Sequence, residues 1–111
     1  MSKEFRRSAR YDVEVSAEVY TTDAVFAAST RNLSDTGVRL NLPMELKEGI
    51  TIGVSLFLTT DGIEDPDAEP LNIKAQVIWS SYRENRGYSS GLRFDHSETS
   101  QTAIHNFLSQ V

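Results

Sequence analysis

Two short groups of polar residues in this sequence have the side-chain types and spacing needed to bind a ligand. The first lies near the N-terminus, where Arg6, Arg7 and Arg10 stand in the run RRSAR. In an extended segment Arg6 and Arg10 lie on the same side, roughly 13 Å apart. A guanidinium pairs bidentately with phosphate or with guanine O6 and N7, and it stacks on aromatic bases. This pair therefore suits a compact, doubly anionic ligand with two guanines. Pairs of arginines at this spacing are common, however, and the alternative is a solvated, disordered tail.

The second group is the hexapeptide NLSDTG, which contains Asn32, Ser34 and Gly37. Asn32 offers both a donor and an acceptor, and Ser34 offers a hydroxyl. With one residue between them, the two side chains can share a face. Gly37 permits positive φ or a close approach of the backbone to a ligand. Taken alone, however, the hexapeptide favours a plain turn with an Asx hydrogen bond.

Alternation of apolar and polar residues predicts six short strands that would position these two groups. The strands cover residues 10–20, 24–30, 38–42, 50–58, 71–79 and 91–94. Between them the sequence predicts a turn at 32–37, an acidic loop at 59–70, and a hairpin loop or irregular link at 80–90. Trp79 falls on the apolar face of the fifth strand.

The end of the chain changes its period and predicts an amphipathic helix. Four apolar residues follow the i, i+3, i+4, i+7 pattern: Ile104, Phe107, Leu108 and Val111. Asp95 with Glu98 resembles a capping box at the start of this helix. Short strands followed by one helix predict a mainly β fold, a small antiparallel barrel.

Composition restricts the class of protein. The 111 residues fit one domain, contain no cysteine, and carry a formal net charge of −5. The charge is uneven, with a cationic segment at 3–10 and an acidic one at 61–69. We find neither a membrane-spanning run nor the apolar stretch of a signal peptide, so we expect a cytoplasmic protein with no membrane insertion. The negative net charge argues against general nucleic-acid binding.

Together the two motifs resemble those of the PilZ family, which carries RxxxR on an N-terminal arm and D/N-x-S-x-x-G after two strands. Here they read Arg6-x-x-x-Arg10 and Asn32-x-Ser34-x-x-Gly37. The resemblance continues through VRLNLP, GITIGVSLFL, AQVIW, GLRF and the closing helix, and so covers essentially the whole chain. It implies a six-stranded antiparallel β-barrel with a C-terminal α-helix, and cyclic di-GMP as the ligand, with no further cofactor.

The resemblance also implies roles for the arginines. Arg6 and Arg10 would contact the guanine faces and edges and the phosphates, and Arg7 would add a phosphate contact. Residues 1–12 would form a mobile cationic arm, and 10–111 the barrel domain. Ligand binding would order the arm across the barrel mouth and create a surface read in trans by an unidentified effector protein. We expect a monomer or weak dimer.

In the second motif, the resemblance implies that Asn32 and Ser34 hydrogen-bond a guanine edge and that Gly37 lets the backbone pass close to the ligand. Trp79 would line the same surface. The family often has Asp where this chain has Asn32. An aspartate can accept from guanine N1–H and N2–H together, whereas Asn32 has one acceptor oxygen. The contact at Asn32 is therefore expected to be weaker or differently oriented.

Other functions are less consistent with the sequence. Ser34 has no nucleophile motif around it, and the two histidines, His96 and His105, have no partners in sequence that indicate catalysis or zinc. The acidic residues at 61–69 lack the spacing of a calcium loop. We therefore predict that the chain is not an enzyme and holds no metal. The open alternative is a PilZ-like adaptor that binds only protein.

Overall fold

The computed structural model describes residues 10–110, with the backbone alone at 10–13 and 31. Within this part, seven strands are followed by one helix. They are β1 (Arg10–Tyr20), β2 (Val25–Ser34), β3 (Gly37–Leu42), β4 (Thr51–Thr60), β5 (Ile63–Glu64), β6 (Leu71–Arg83), β7 (Gly87–Phe94) and α1 (Glu98–Leu108). Residues 10–12 thus belong to β1. The rest of the predicted arm, residues 1–9, and Val111 lie outside the described residues.

Six of the strands close into an antiparallel barrel in the order β1-β2-β3-β7-β6-β4, and β4 pairs back with β1. The two-residue strand β5 lies inside the predicted acidic loop and pairs only with the end of β4. Within residues 10–110, closure leaves no long unpaired strand edge, which protects a small β protein from edge-to-edge association. The predicted six-stranded barrel with a C-terminal helix is confirmed.

The core lies inside the barrel and beneath α1, where the alternating apolar residues meet. Strand β6 shows the pattern most clearly, since its first seven residues alternate between buried and exposed. Phe94 on β7 is also buried, as its strand pattern predicts. The helix contributes its predicted apolar stripe of Ile104, Phe107 and Leu108. Burial of this continuous apolar surface is the main stabilising contribution to the fold.

Residues 80–90 are not a loop or an irregular link, and that prediction was wrong. Strands β6 and β7 continue through them and leave only 84–86 as the hairpin tip. The rings of Tyr82 and Tyr88 pack edge to face with centroids 5.4 Å apart. The side-chain oxygen of Asn41 on β3 accepts hydrogen bonds from both strands, at 2.7 and 2.9 Å. Cross-strand pairs of this kind stabilise a polar strand that alternation does not reveal.

The start of α1 also differs from the prediction of a capping box at Asp95. The N-cap is Ser97, whose hydroxyl accepts a hydrogen bond from the backbone N–H of Ser100 at 3.2 Å. Asp95 instead accepts from the hydroxyl of Ser100 at 2.9 Å. Ser97 lies two residues nearer the helix than Asp95, so its hydroxyl can accept directly from the free amide of the first turn. The Asp95 carboxylate is therefore left to bond the Ser100 side chain.

Candidate functional site

The strand register brings the two sequence motifs together. In the β1–β2 pair, Arg10 lies opposite Ser34, and Asp12 lies opposite Asn32. The C-terminal end of the RxxxR motif therefore borders the second motif across the sheet. Arg6 and Arg7 lie outside the described residues, and only the backbone of Arg10 is described. Their predicted ligand contacts stay predictions.

The turn between β2 and β3 is built around the hydroxyl of Ser34. This oxygen accepts hydrogen bonds from the backbone N–H groups of Thr36, at 3.3 Å, and Gly37, at 3.2 Å. It also lies 3.3 Å from the carbonyl oxygen of Gly37, to which it can donate. The predicted turn at 32–37 is shorter in the structure, because β2 runs through Ser34 and β3 begins at Gly37. The polar side chains of β2 are therefore held on rigid strand, close to a tight turn.

Gly37 is required by packing against the neighbouring strand. A Cβ at this position would lie 2.1 Å from the backbone carbonyl oxygen of Leu92. Gly37 pairs with Arg93 across the β3–β7 ladder, so the close approach is between two strands of the barrel. This contact by itself accounts for a glycine at this position. A role for Gly37 in ligand binding stays a prediction.

Asn32 is oriented by Arg39, its cross-strand partner on β3. A guanidinium has only donors and stays protonated, so the amide oxygen and not the amide nitrogen must face it. In that orientation Oδ1 of Asn32 accepts from Nε of Arg39 at 3.2 Å and from Nη2 at 2.5 Å. Arg39 was not among the predicted site residues. Alternation places it on the polar face of its strand, but only the register reveals its partner.

Trp79 lies at the surface because the strand pairing is irregular before it. The register of β6 on β7 shifts between Val77 and Trp79, and Trp79 then pairs with Gly91. Such a bulge re-aims the side chains that follow it. Trp79 is consequently 38% exposed, instead of buried as strict alternation indicates. Its indole lies directly over Gly91, where a Cβ would be 2.1 Å from Nε1.

These features surround one open cavity of about 410 Å³. Four of the predicted site residues line it, namely Asn32, Ser34, Gly37 and Trp79. Arg39, Ile78 and Gly91 contribute to the same lining. The site thus combines an amide, a hydroxyl, a guanidinium and the surface of an indole. Such a set can hydrogen-bond the edge of a planar heterocycle and pack against its face.

Two other kinds of site can be addressed from the described residues. Within 10–110 there is no group of three or more His, Asp or Glu side chains that could hold a metal ion. The same part of the chain contains no helix with the length and apolar character needed to cross a membrane.

Comparison with known proteins identifies a family. A model of the PilZ domain matches residues 4–110. A comparison with curated protein sequences gave no significant match.

Solved structures share the fold at low sequence identity. The Bacillus subtilis inhibitor of motility (MotI/DgrA) has a TM-score of 0.66 and 13% identity over 95% of this chain and 50% of that one. Escherichia coli YcgR in complex with c-di-GMP has a TM-score of 0.69 and 19% identity over 95% and 45%, respectively. The PilZ domain of YcgR with c-di-GMP has a TM-score of 0.62 and 18% identity over 94% and 89%. The chain therefore spans about half of the first two proteins.

Proposed function

Because this chain belongs to the PilZ domain family, we propose that it is a cyclic di-GMP receptor and not an enzyme. The observation that carries the proposal is the cavity in which Asn32, Ser34, Gly37 and Trp79 meet. The backbone of Arg10 lies opposite Ser34, at the edge of the same motif. Two of the similar structures contain c-di-GMP, which supports this choice of ligand.

The chemistry of the cavity suits one guanine of the ligand. The amide of Asn32 would bond the base edge, and the hydroxyl of Ser34 would do so by turning its hydrogen from the carbonyl oxygen of Gly37 to the base. The indole of Trp79 would pack against the face of the base. The second guanine and the phosphates would meet Arg6, Arg7 and Arg10, whose guanidinium groups pair with phosphate and stack on bases.

The output would depend on the N-terminal arm. In the proposal, contacts to the ligand draw residues 1–9 onto the barrel, and the altered surface is recognised by an effector protein in trans. One similar structure is an inhibitor of motility, which supports a regulatory output. We expect a cytoplasmic monomer or weak dimer that binds neither nucleic acid nor membrane.

A second candidate function is an adaptor that binds protein and not cyclic di-GMP. One observation favours it, namely that the amide oxygen of Asn32 is already occupied by Arg39. If a guanine required a hydrogen-bond acceptor at position 32, the Asn32–Arg39 pair would leave the base without that acceptor. Loss of a required hydrogen bond weakens binding considerably when the group is buried.

Isothermal titration of cyclic di-GMP into the purified chain tests the proposal, with GTP and cyclic GMP as controls. Arg6→Ala and Arg10→Ala should each reduce affinity about tenfold, the equivalent of ~1.5 kcal/mol for a charge-assisted contact. Arg86→Ala is the matched control, because this exposed arginine lines a different cavity. Amide exchange in residues 1–9 should slow on ligand addition, whereas residues 10–12 already pair with β2. Absence of binding at high ligand concentration would favour the adaptor.

A further inference from the structure

The pairing of Asn32 with Arg39 determines which hydrogen-bonding groups this position can offer to a ligand. Two N–H groups of the guanidinium point at the amide oxygen. The side chain of Asn32 is half-buried and lines the cavity, whereas Arg39 lies at its exposed side. With Oδ1 turned toward Arg39, the Nδ2 hydrogens are what Asn32 can present to a base.

Rotation of the amide by half a turn is opposed by the same pair. It would set the Nδ2 hydrogens against a guanidinium that has no acceptor, and it would break two charge-assisted hydrogen bonds. A contact of this strength favours the orientation with Oδ1 toward Arg39 by on the order of tenfold or more. If Asn32 contacts a ligand, Arg39 would act on that ligand through Asn32, as a positioning residue.

We infer that Arg39 makes Asn32 a hydrogen-bond donor to guanine O6 or N7, and not an acceptor from guanine N1–H and N2–H. The inference rests on the proposed function and specifies which atoms of the base this position reads. Guanine presents O6 and N7 as adjacent acceptors on one edge, and its 2-amino group is a donor elsewhere on the ring. The Asn32 amide and the 2-amino group are then not in contact.

An aspartate at position 32 would behave differently. A carboxylate has two oxygens, so one can accept from Arg39 while the other still accepts from a base. Asn32 has only the single oxygen that Arg39 occupies. In this inference, the contact made by Asn32 therefore differs in kind, and not only in strength, from the contact that an aspartate would make. The asparagine reverses the direction of the hydrogen bond at this position and selects a different edge of the base.

The test compares cyclic di-GMP with cyclic di-IMP, whose hypoxanthine bases keep O6 and N7 but lack the 2-amino group. Both ligands are titrated into the wild-type chain and into Asn32→Ala and Asn32→Asp. Asn32→Ala should reduce the affinities for both ligands by the same factor, within about twofold. Asn32→Asp should increase the preference for cyclic di-GMP by about tenfold, because its free oxygen can reach the N1–H and N2–H edge.

Arg39 is tested in the same assay with a second pair of variants. Arg39→Leu leaves the Asn32 amide free to rotate. Adding Asn32→Ala to this variant should then change the affinities for cyclic di-GMP and cyclic di-IMP by different factors. Arg39→Lys keeps a donor opposite the oxygen and should preserve the equal effect. Loss of stability alone would not change the ratio of the two affinities, which separates positioning from a structural role.

Three results would contradict the inference. If Asn32→Ala removes a wild-type preference for cyclic di-GMP over cyclic di-IMP, Asn32 accepts from the 2-amino group and the inference is wrong. If Arg39→Leu leaves the effect of Asn32→Ala equal for both ligands, Arg39 does not position the amide. Both of these outcomes leave the proposed receptor function intact. Failure of the wild-type chain to bind cyclic di-GMP at all would overturn both the receptor function and the inference.

Discussion

Replacement of Gly91 by alanine should displace the indole of Trp79 and so deform the wall of the cavity. An alanine Cβ would lie 2.1 Å from Nε1 and 2.5 Å from Cε2 of the ring. Ordinary contact begins at 3.4 Å, so the ring must retreat by about 1.3 Å. The obstacle is a side chain at the surface and not a strand, so the ring can move without disrupting the barrel.

The cost follows from how much of the indole is covered. Trp79 is 38% exposed, so complete expulsion would uncover on the order of 100–150 Å² of apolar surface, worth about 3 kcal/mol. A glycine-to-alanine change without steric conflict stabilises by about 0.5 kcal/mol, because it restricts the unfolded chain. Partial displacement of the ring should therefore lower the free energy of unfolding by about 1–2 kcal/mol.

Urea denaturation measures this loss, and tryptophan fluorescence reports its origin. The chain has one tryptophan, so a red-shifted emission must come from Trp79. Gly53→Ala is the matched control, because a Cβ there would meet only the Cβ of Tyr20 at an ordinary 3.6 Å. The control should be neutral or slightly stabilising. Equal stability and unchanged emission in the two variants would refute the proposed packing of Trp79 on Gly91.

Two further predictions concern the turn and the start of the helix. Ser34→Ala should lower the free energy of unfolding by about 1 kcal/mol, since two turn amides lose their acceptor; urea titration against Ser81→Ala, an exposed serine of β6, checks this. Hydrogen bonds from Ser97 and then Ser100 hold the pKa of Asp95 below its ordinary value of 3.8. A carboxyl group whose pKa is lowered by folding contributes stability at pH values above its unfolded-state pKa. This contribution is lost as the pH falls through its folded-state pKa. Asp95→Asn should therefore reduce the loss of stability below about pH 4, and unchanged pH dependence would contradict the assignment.

Much of the fold was predictable because alternation is a local property of the chain. Side chains of a strand alternate between its faces, so apolar residues at every second position mark a strand with one buried face. The first half of β6 obeys this rule and was predicted correctly. The second half does not, because its stability comes from partners on β3 and β7 that are distant in sequence.

For the candidate site, the sequence by itself determined the fold class, the two motifs and their association with a family. It also identified Asn32, Ser34, Gly37 and Trp79, which the structure places around one cavity.

The tertiary structure alone decided how these residues are held. Arg39 faces Asn32 only because of the β2–β3 register, and Trp79 reaches the surface only because of a shift in the β6–β7 pairing. Gly37 and Gly91 are required by neighbours from other strands. Each of these contacts joins residues that are apart in sequence. Their geometry depends on register and strand spacing, which a local pattern of residue types does not encode.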